Sequence, residues 1–157
     1  IIHQFGEEKR ARRLARSIVR ARPIESTIKL AEIIANTLGN SNKQRIHPAT
    51  RTFQAIRIAV NHELENLKEG LKQAIKVVGT TGRLVVISYH SLEDRIVKGF
   101  FRREGSACIC PSSIIKCICS HQATIKIITT KVVKPSQNET QVNPRSRSAR
   151  LRVAELL

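Results

Sequence analysis

The stretch "GRLVVISYHSLEDRIVKGFF" (82–101) constrains this chain more than any other. Within it, "RLVVIS" (83–88) is a short, continuous apolar run preceded by the turn signal "GTTG", which predicts a strand buried on both faces. A polar knot of Ser88, Tyr89, His90 and Ser91 follows, and then Leu92, Ile96, Val97, Phe100 and Phe101 recur at helical spacing. A buried strand feeding a helix belongs to the α/β class, in which ligands and catalytic groups collect at the carboxyl ends of strands. Ser91 followed by Asp94 is close to a capping-box spacing, with Asp in place of the usual Glu or Gln, so both are expected to cap the helix.

On the amino-terminal side, "EEKRARRLARSIVRAR" (7–22) sets Ala11, Leu14, Ala15, Ile18 and Val19 at helical spacing, while Arg10, Arg12, Arg13, Arg16 and Arg20 crowd the other faces. Pro23 ends that helix. Ser26 or Thr27 is placed to cap a second, with Ile28, Leu30, Ala31, Ile33, Ile34 and Leu38 as its apolar face and Gly39 just past its end. After the polar stretch "NSNKQR" (40–45), Pro48 opens a stripe of Phe53, Ile56, Val60, Leu64, Leu67, Leu71, Ile75 and Val78, read as one long helix or two joined near Gly70.

On the carboxyl-terminal side, "ATIKIITTKVVKP" (123–135) and "SARLRVAEL" (148–156) alternate as strands, separated by "SQNETQVNPRSR" (136–147), which reads as a polar loop. The strand–helix–strand order implies a right-handed crossover in a mostly parallel sheet, and the last two strands imply an antiparallel pair at its edge. A three-stranded sheet with one parallel edge unpaired is a poor independent fold. Together with a first residue Ile1 and the absence of Met, this leads to the expectation of a fragment.

Lys and Arg number 28 against 12 Asp and Glu, a formal charge of +16, with a pI of about 10.7. Such an excess points to a polyanionic partner, with a basic protein suited to crowded cytosol or an anionic membrane surface as the alternative. Phe5, Phe53, Tyr89, Phe100 and Phe101 are the whole aromatic complement, too few for a single-strand binder that works mainly by base stacking. No stretch approaches the roughly 20 apolar residues of a membrane span and no signal pattern opens the chain, so a cytoplasmic protein with no membrane partner is expected.

In that compartment cysteines are reduced or metal-bound. Cys108, Cys110, Cys117 and Cys119 lie in "CICPSSIIKCICSH" (108–121) as two Cys-x-Cys hooks six residues apart. They could hold zinc as four thiolates, although the usual knuckle is Cys-x2-Cys; a disulfide pair or free thiols are the alternatives.

Three blocks, "IHPATRTFQAIRIAVNHEL" (46–64), "GRLVVISYHSLEDRIVKGFF" (82–101) and "NPRSRSARLRVAE" (143–155), resemble the carboxyl-terminal half of the bacterial 16S ribosomal RNA cytosine N4-methyltransferases of the MraW/RsmH type. "FGEEKRARRLARSIVRAR" (5–22) is similar to the end of that family's inserted helical domain. The resemblance implies the carboxyl-terminal part of a class I, Rossmann-like methyltransferase sheet that uses S-adenosyl-L-methionine. Residues 1–45 would end the inserted helical substrate-recognition domain and 46–157 would be the carboxyl-terminal half of the methyltransferase domain. The family's Gly-Gly-His-Ser loop, its acidic ribose-binding position and its Asp-Leu-Gly-Val-Ser-Ser stretch do not occur here, so cofactor-binding residues are not assigned. "GTTGRL" also stands where a Pro-Gly-Gly turn is usual, "NHEL" replaces Asn-Asp-Glu-Leu, and Gly99 replaces a basic residue.

The resemblance implies 16S rRNA in the small ribosomal subunit as the partner; a homodimer is left open. Arg51, Gln54, Arg57 and Asn61 fall at helical spacings that could line a face toward RNA, and Arg95, Arg145 and Arg147 are further candidates for phosphate contact. The alternatives are that Arg51 and Arg57 pair with acids, that His47 caps its helix, and that Arg145, Arg147, Arg150 and Arg152 form a charged, aggregation-resistant edge. Ser88 and His90 are the candidate catalytic residues, with His90 accepting the amine proton or holding a flipped base; its alternative role is a backbone hydrogen bond at the helix start. A non-catalytic basic rRNA-binding module and an inactive split-gene product are the competing functional readings.

Overall fold

The structure, a computed structural model, describes residues 1–39, 47–111, 113–114 and 116–157. The polar stretch 40–45 and the Ile46 that opens the next block lie outside the described residues. The chain divides into two compact units, Ile1–Glu63 and Leu64–Leu157. The division falls inside the block expected to begin the methyltransferase half.

The first unit is helical: α1 (Ile2–Gly6), α2 (Ala11–Arg20), α3 (Thr27–Leu38) and α4 (Thr50–Asn61). Leu14, Ile34, Leu38 and Ala49 are its buried centre, with Ile2, Ile18, Leu30, Ala31 and Phe53 packed around them. Helix α3 ends as its sequence predicts. The Ser26 hydroxyl accepts the Lys29 N–H at 3.1 Å, and Gly39 takes a φ of +79°. The apolar faces are narrower than expected, because Val19 and Ile28 are 57% and 72% exposed. Helix α2 is also shorter than expected: Glu7 adopts a left-handed conformation that closes α1, and the helix within the run 7–22 starts only at Ala11 and ends at Arg20.

Gly6 is required by a close approach. A Cβ there would stand 2.9 Å from the Arg51 carbonyl oxygen and 3.3 Å from the Ala55 Cβ, so α1 can lie on α4 only without a side chain at this point.

The long apolar stripe does make two helices, but the break is not at Gly70. It is at His62, whose φ of 52° and ψ of 37° put it in the left-handed region while its N–H bonds the Ile58 carbonyl. Helix α5 (Glu63–Val77) then runs straight through Gly70. Single polar residues tolerate the left-handed region, and this one does what a glycine would.

The second unit continues with β1 (Arg83–Ser88), α6 (Ser91–Glu104), β2 (Ile125–Ile127), α7 (Gln137–Val142), a 3-10 turn (Pro144–Ser148) and β3 (Arg150–Leu156). The polar loop expected over 136–147 is therefore mostly helical, and the missed signal is Ser136, whose hydroxyl accepts the Glu139 N–H at 3.1 Å.

Sheet order is β1-β3-β2, and β3 is antiparallel to both neighbours. The expected antiparallel terminal pair is present. The expected parallel neighbours are not: β3 inserts between β1 and β2, so the crossover through α6 leaves a gap that the last strand fills. The β2 strand is also shorter than its alternating sequence. Both Ile128 and Thr129 donate to the Val153 carbonyl, at 3.0 and 3.2 Å, and the Thr129 hydroxyl accepts the Val153 N–H at 2.8 Å. Two residues opposite one is a bulge, and it bends the strand away.

Leu71, Val97, Phe101, Ile125, Ala154 and Leu156 are the core of this unit, joined by Leu67, Ile75, Leu84, Val86 and Ile96. Helices α5 and α6 thus cover one face of the sheet. On the other face Val85 and Ile87 are 54% and 52% exposed, opposite Val153 and Leu151. The strand expected to be buried on both faces is covered on one by the described residues. We predict that Gly6→Ala lowers the stability of the first unit by about 1–3 kcal/mol, through overpacking against backbone; urea unfolding followed by circular dichroism measures it.

Candidate functional site

The carboxyl end of β1 is built from three consecutive residues. Ser88 closes the strand and is buried, Tyr89 is exposed, and His90 is the N-cap of α6. His90 Nδ1 accepts the Glu93 N–H at 3.3 Å. The Glu93 carboxylate in turn accepts the Tyr89 and His90 N–H groups, at 2.8 and 3.2 Å. This is a capping box shifted one residue toward the strand from the expected Ser91–Asp94 pair, with an imidazole nitrogen in the place of a hydroxyl. Because Nδ1 accepts, the neutral ring carries its hydrogen on Nε2, which lies 3.3 Å from Glu93 Oε1 without hydrogen-bond geometry.

Asp94 does something other than cap. Arg152 Nε donates to its Oδ1 at 2.7 Å and Nη2 to Oδ2 at 3.2 Å, while Arg150 Nη1 donates to Oδ2 at 3.1 Å. Asp94 and Arg152 are both buried. The Arg152 hydrogen bond holds the Asp94 carboxyl below its ordinary value against the opposing effect of burial, with help from the Arg152 charge and from Arg150. The first turn of α6 is thereby locked to β3.

A second candidate lies in the first unit. His3, Lys9, Arg10, Arg12 and Arg13 line a cavity of about 670 Å³. Arg10 Nη1 donates to the Leu38 carbonyl at 2.8 Å, so one arginine is spent on the end of α3.

The third cluster is the four cysteines. They are free thiols between α6 and β2. The Ile109 and His121 N–H groups draw the Cys119 thiol down to about 6. Cys108 moves the other way, to about 12: the Cys110 N–H lowers it, and hydrogen bonds with the Cys117, Cys110 and Cys119 side chains outweigh that.

The model of the MraW methylase family matches residues 1–157. A protein of Thermomicrobium roseum named ribosomal RNA small subunit methyltransferase H is 57% identical over 155 residues, covering 97% of this chain and 47% of that protein. The namesake in Dehalococcoides mccartyi is 54% identical, over 99% of this chain and 44% of its own length. That in Carboxydothermus hydrogenoformans is 48% identical, over 100% and 51%. The chain belongs to the MraW methylase family. It spans about half the length of these relatives.

The expected site residues of this MraW-family chain separate into three places. Ser88 and His90 stand together at the β1 turn, and Arg95 is exposed in the second turn of α6. Arg145 and Arg147 are exposed on the 3-10 turn either side of buried Ser146. Arg51, Gln54, Arg57 and Asn61 all lie on α4 in the first unit. There Arg57 donates to both Glu63 oxygens, at 2.7 and 3.1 Å, and Asn61 to Oε1 at 3.4 Å. Pairing with an acid, the alternative reading for Arg57, is thus realised. His47 likewise accepts the Ala49 N–H on Nδ1, as a cap does.

Sequence reasoning did not single out Glu93, Arg152 as the partner of Asp94, or the His3–Lys9–Arg13 cavity. Ser-x-x-Asp looked more like a cap than His-x-x-Glu, and a 58-residue separation hides an ion pair. For S-adenosylmethionine the residues present do not suffice. The turn from β1 into α6, Ser88–Tyr89–His90, has no glycine to admit a nucleotide against the backbone.

Asp94→Asn is expected to destabilise the second unit by about 3 kcal/mol, because a buried guanidinium loses its counter-charge. A depressed folded-state pKa makes this stabilisation fully present above the ordinary carboxylate range and lost as pH falls through it toward the folded value. Denaturation curves between pH ~7 and ~2.5 should therefore fall more steeply for the unmodified chain than for the variant.

Proposed function

We propose that this chain is the carboxyl-terminal half of an S-adenosylmethionine-dependent methyltransferase acting on the N4 amine of a cytosine in 16S rRNA of the small ribosomal subunit. The observation that carries this reading is the family match over all 157 residues, at up to 57% identity, to proteins of about twice the length. The half-covered sheet supports it as well: β1 has no strand on its outer edge among the described residues, and Val85 and Ile87 stand exposed beside that edge.

In this reading the β1 turn faces the base. Methyl transfer to an exocyclic amine demands chiefly that the amine be aimed and its proton removed. His90 has Nδ1 spent on the helix cap and a buried Nε2, so it shapes the turn without touching the base, and the proton leaves by another route. Arg145 and Arg147, and in the other unit Lys9, Arg12 and Arg13, supply exposed positive charge for phosphates. The basic cavity alone would also suit a non-catalytic rRNA-binding module, the second reading.

Joining this chain to the amino-terminal half of the Thermomicrobium roseum relative separates the two. Transfer of a labelled methyl group to cytosine N4 in small subunits is expected from the joined protein and not from the chain alone. Rescue failing while rRNA binding persists supports the binding module. Micromolar S-adenosylmethionine binding by the chain alone contradicts the proposal. Arg12→Glu and Arg13→Glu should each weaken rRNA binding and lower the slope of log K against log salt by about 1.

A further inference from the structure

The cysteine segment is hard to explain as an ordinary loop. It joins the end of α6 at Glu104 to the start of β2 at Ile125, with no helix or strand among its described residues. Its described isoleucines before β2 do not fold over a core: Ile109 is 41% exposed, Ile114 38% and Ile118 75%. Loops this long without secondary structure are uncommon in compact domains unless something organises them.

What lies at the centre is sulfur. The four Sγ atoms are all within 4.8 Å of one another. Cys108 and Cys117 are 3.4 Å apart, Cys117 and Cys119 3.5 Å, Cys108 and Cys119 3.7 Å, and Cys110 and Cys117 4.0 Å. A disulfide needs about 2.05 Å, and none of these is close to it. Four thiolates at about 2.3 Å from a tetrahedral zinc ion are about 3.8 Å apart, in the middle of the observed spread.

The backbone is arranged around the same point. The Ile109 N–H points to Cys119 Sγ and the Ile118 N–H to Cys110 Sγ, each at 3.5 Å, so the middle residue of each hook donates to the other hook. The Cys110 N–H adds a third, to Cys108 at 3.4 Å. Amide donors aimed at sulfur offset the negative charge of a four-thiolate site and fix its ligands. His121 is not part of the set, because its Nε2 is 2.9 Å from the Arg103 carbonyl oxygen.

We propose that Cys108, Cys110, Cys117 and Cys119 bind one zinc ion as a closed, structural four-thiolate site. It pins the end of α6 to the start of β2. Four protein ligands leave no open position, so the ion takes no part in catalysis. The site stands independently of the methyltransferase reading. The opposite end of α6, capped by His90, is where that reading places the chemistry.

The test is metal analysis of the purified, reduced chain supplied with zinc. About one zinc per chain is expected, with X-ray absorption giving four sulfurs at about 2.3 Å. Cys108→Ser and Cys117→Ser should each lower zinc retention at least tenfold, whereas His121→Ala should keep it. Should the serine variants fail to fold, thiol titration of the unmodified chain decides: four thiols protected until a chelator is added support the site. Freely reactive thiols, a mass deficit from disulfides, iron in place of zinc, or metal loss in His121→Ala would each overturn it.

Discussion

The buried contact between Asp94 and Arg152 is the constraint on which the second unit depends. It joins the first turn of α6 to the central strand of the sheet, and it does so at the end of β1 where the candidate site is. Taking two charges out of water is costly, and the cost is offset only because the carboxylate is filled by three guanidinium hydrogen bonds. The consequence is specificity of placement. With β3 one residue out of register, Arg152 would face the open side of the sheet and Asp94 would be buried alone.

That register is the same one that sorts the apolar side chains. Ala154 and Leu156 go to the core with Arg152, while Leu151 and Val153 join Val85 and Ile87 on the uncovered face. Every strand pairing here is antiparallel, a sheet type that commonly packs one face and leaves the other open, and the packed face is the one that carries α5 and α6. No helix among the described residues is long and apolar enough to cross a membrane, so the uncovered apolar face is not accompanied by a membrane helix.

Helix α6 organises the rest by having two different ends. Its amino end carries the His90–Glu93 box and receives the chain from β1; its carboxyl end leads into the sulfur cluster. The first uses ordinary helix chemistry to hold an imidazole still, and the second opens into a long exposed segment in which four thiols lie together. The cap at its amino end is what lets a short sheet present a defined turn.

Much of this was legible in order along the chain. The helices α2 and α3, the strand RLVVIS, the helix after it and the terminal strand follow from period and caps, because those signals are local: Ser26 needs only Lys29, and Gly39 only its own backbone. The resemblance of three blocks also identified the family from residues alone. Tertiary structure alone decided the rest. Nothing local says that β3 lies between β1 and β2, that Asp94 would leave the cap to His90 and Glu93 and turn to Arg152, or that His62 rather than Gly70 breaks the long stripe. The first two depend on partners supplied by packing, and a buried charge is tolerated only where its partner already stands, whereas exposed His62 breaks the stripe through its own left-handed backbone.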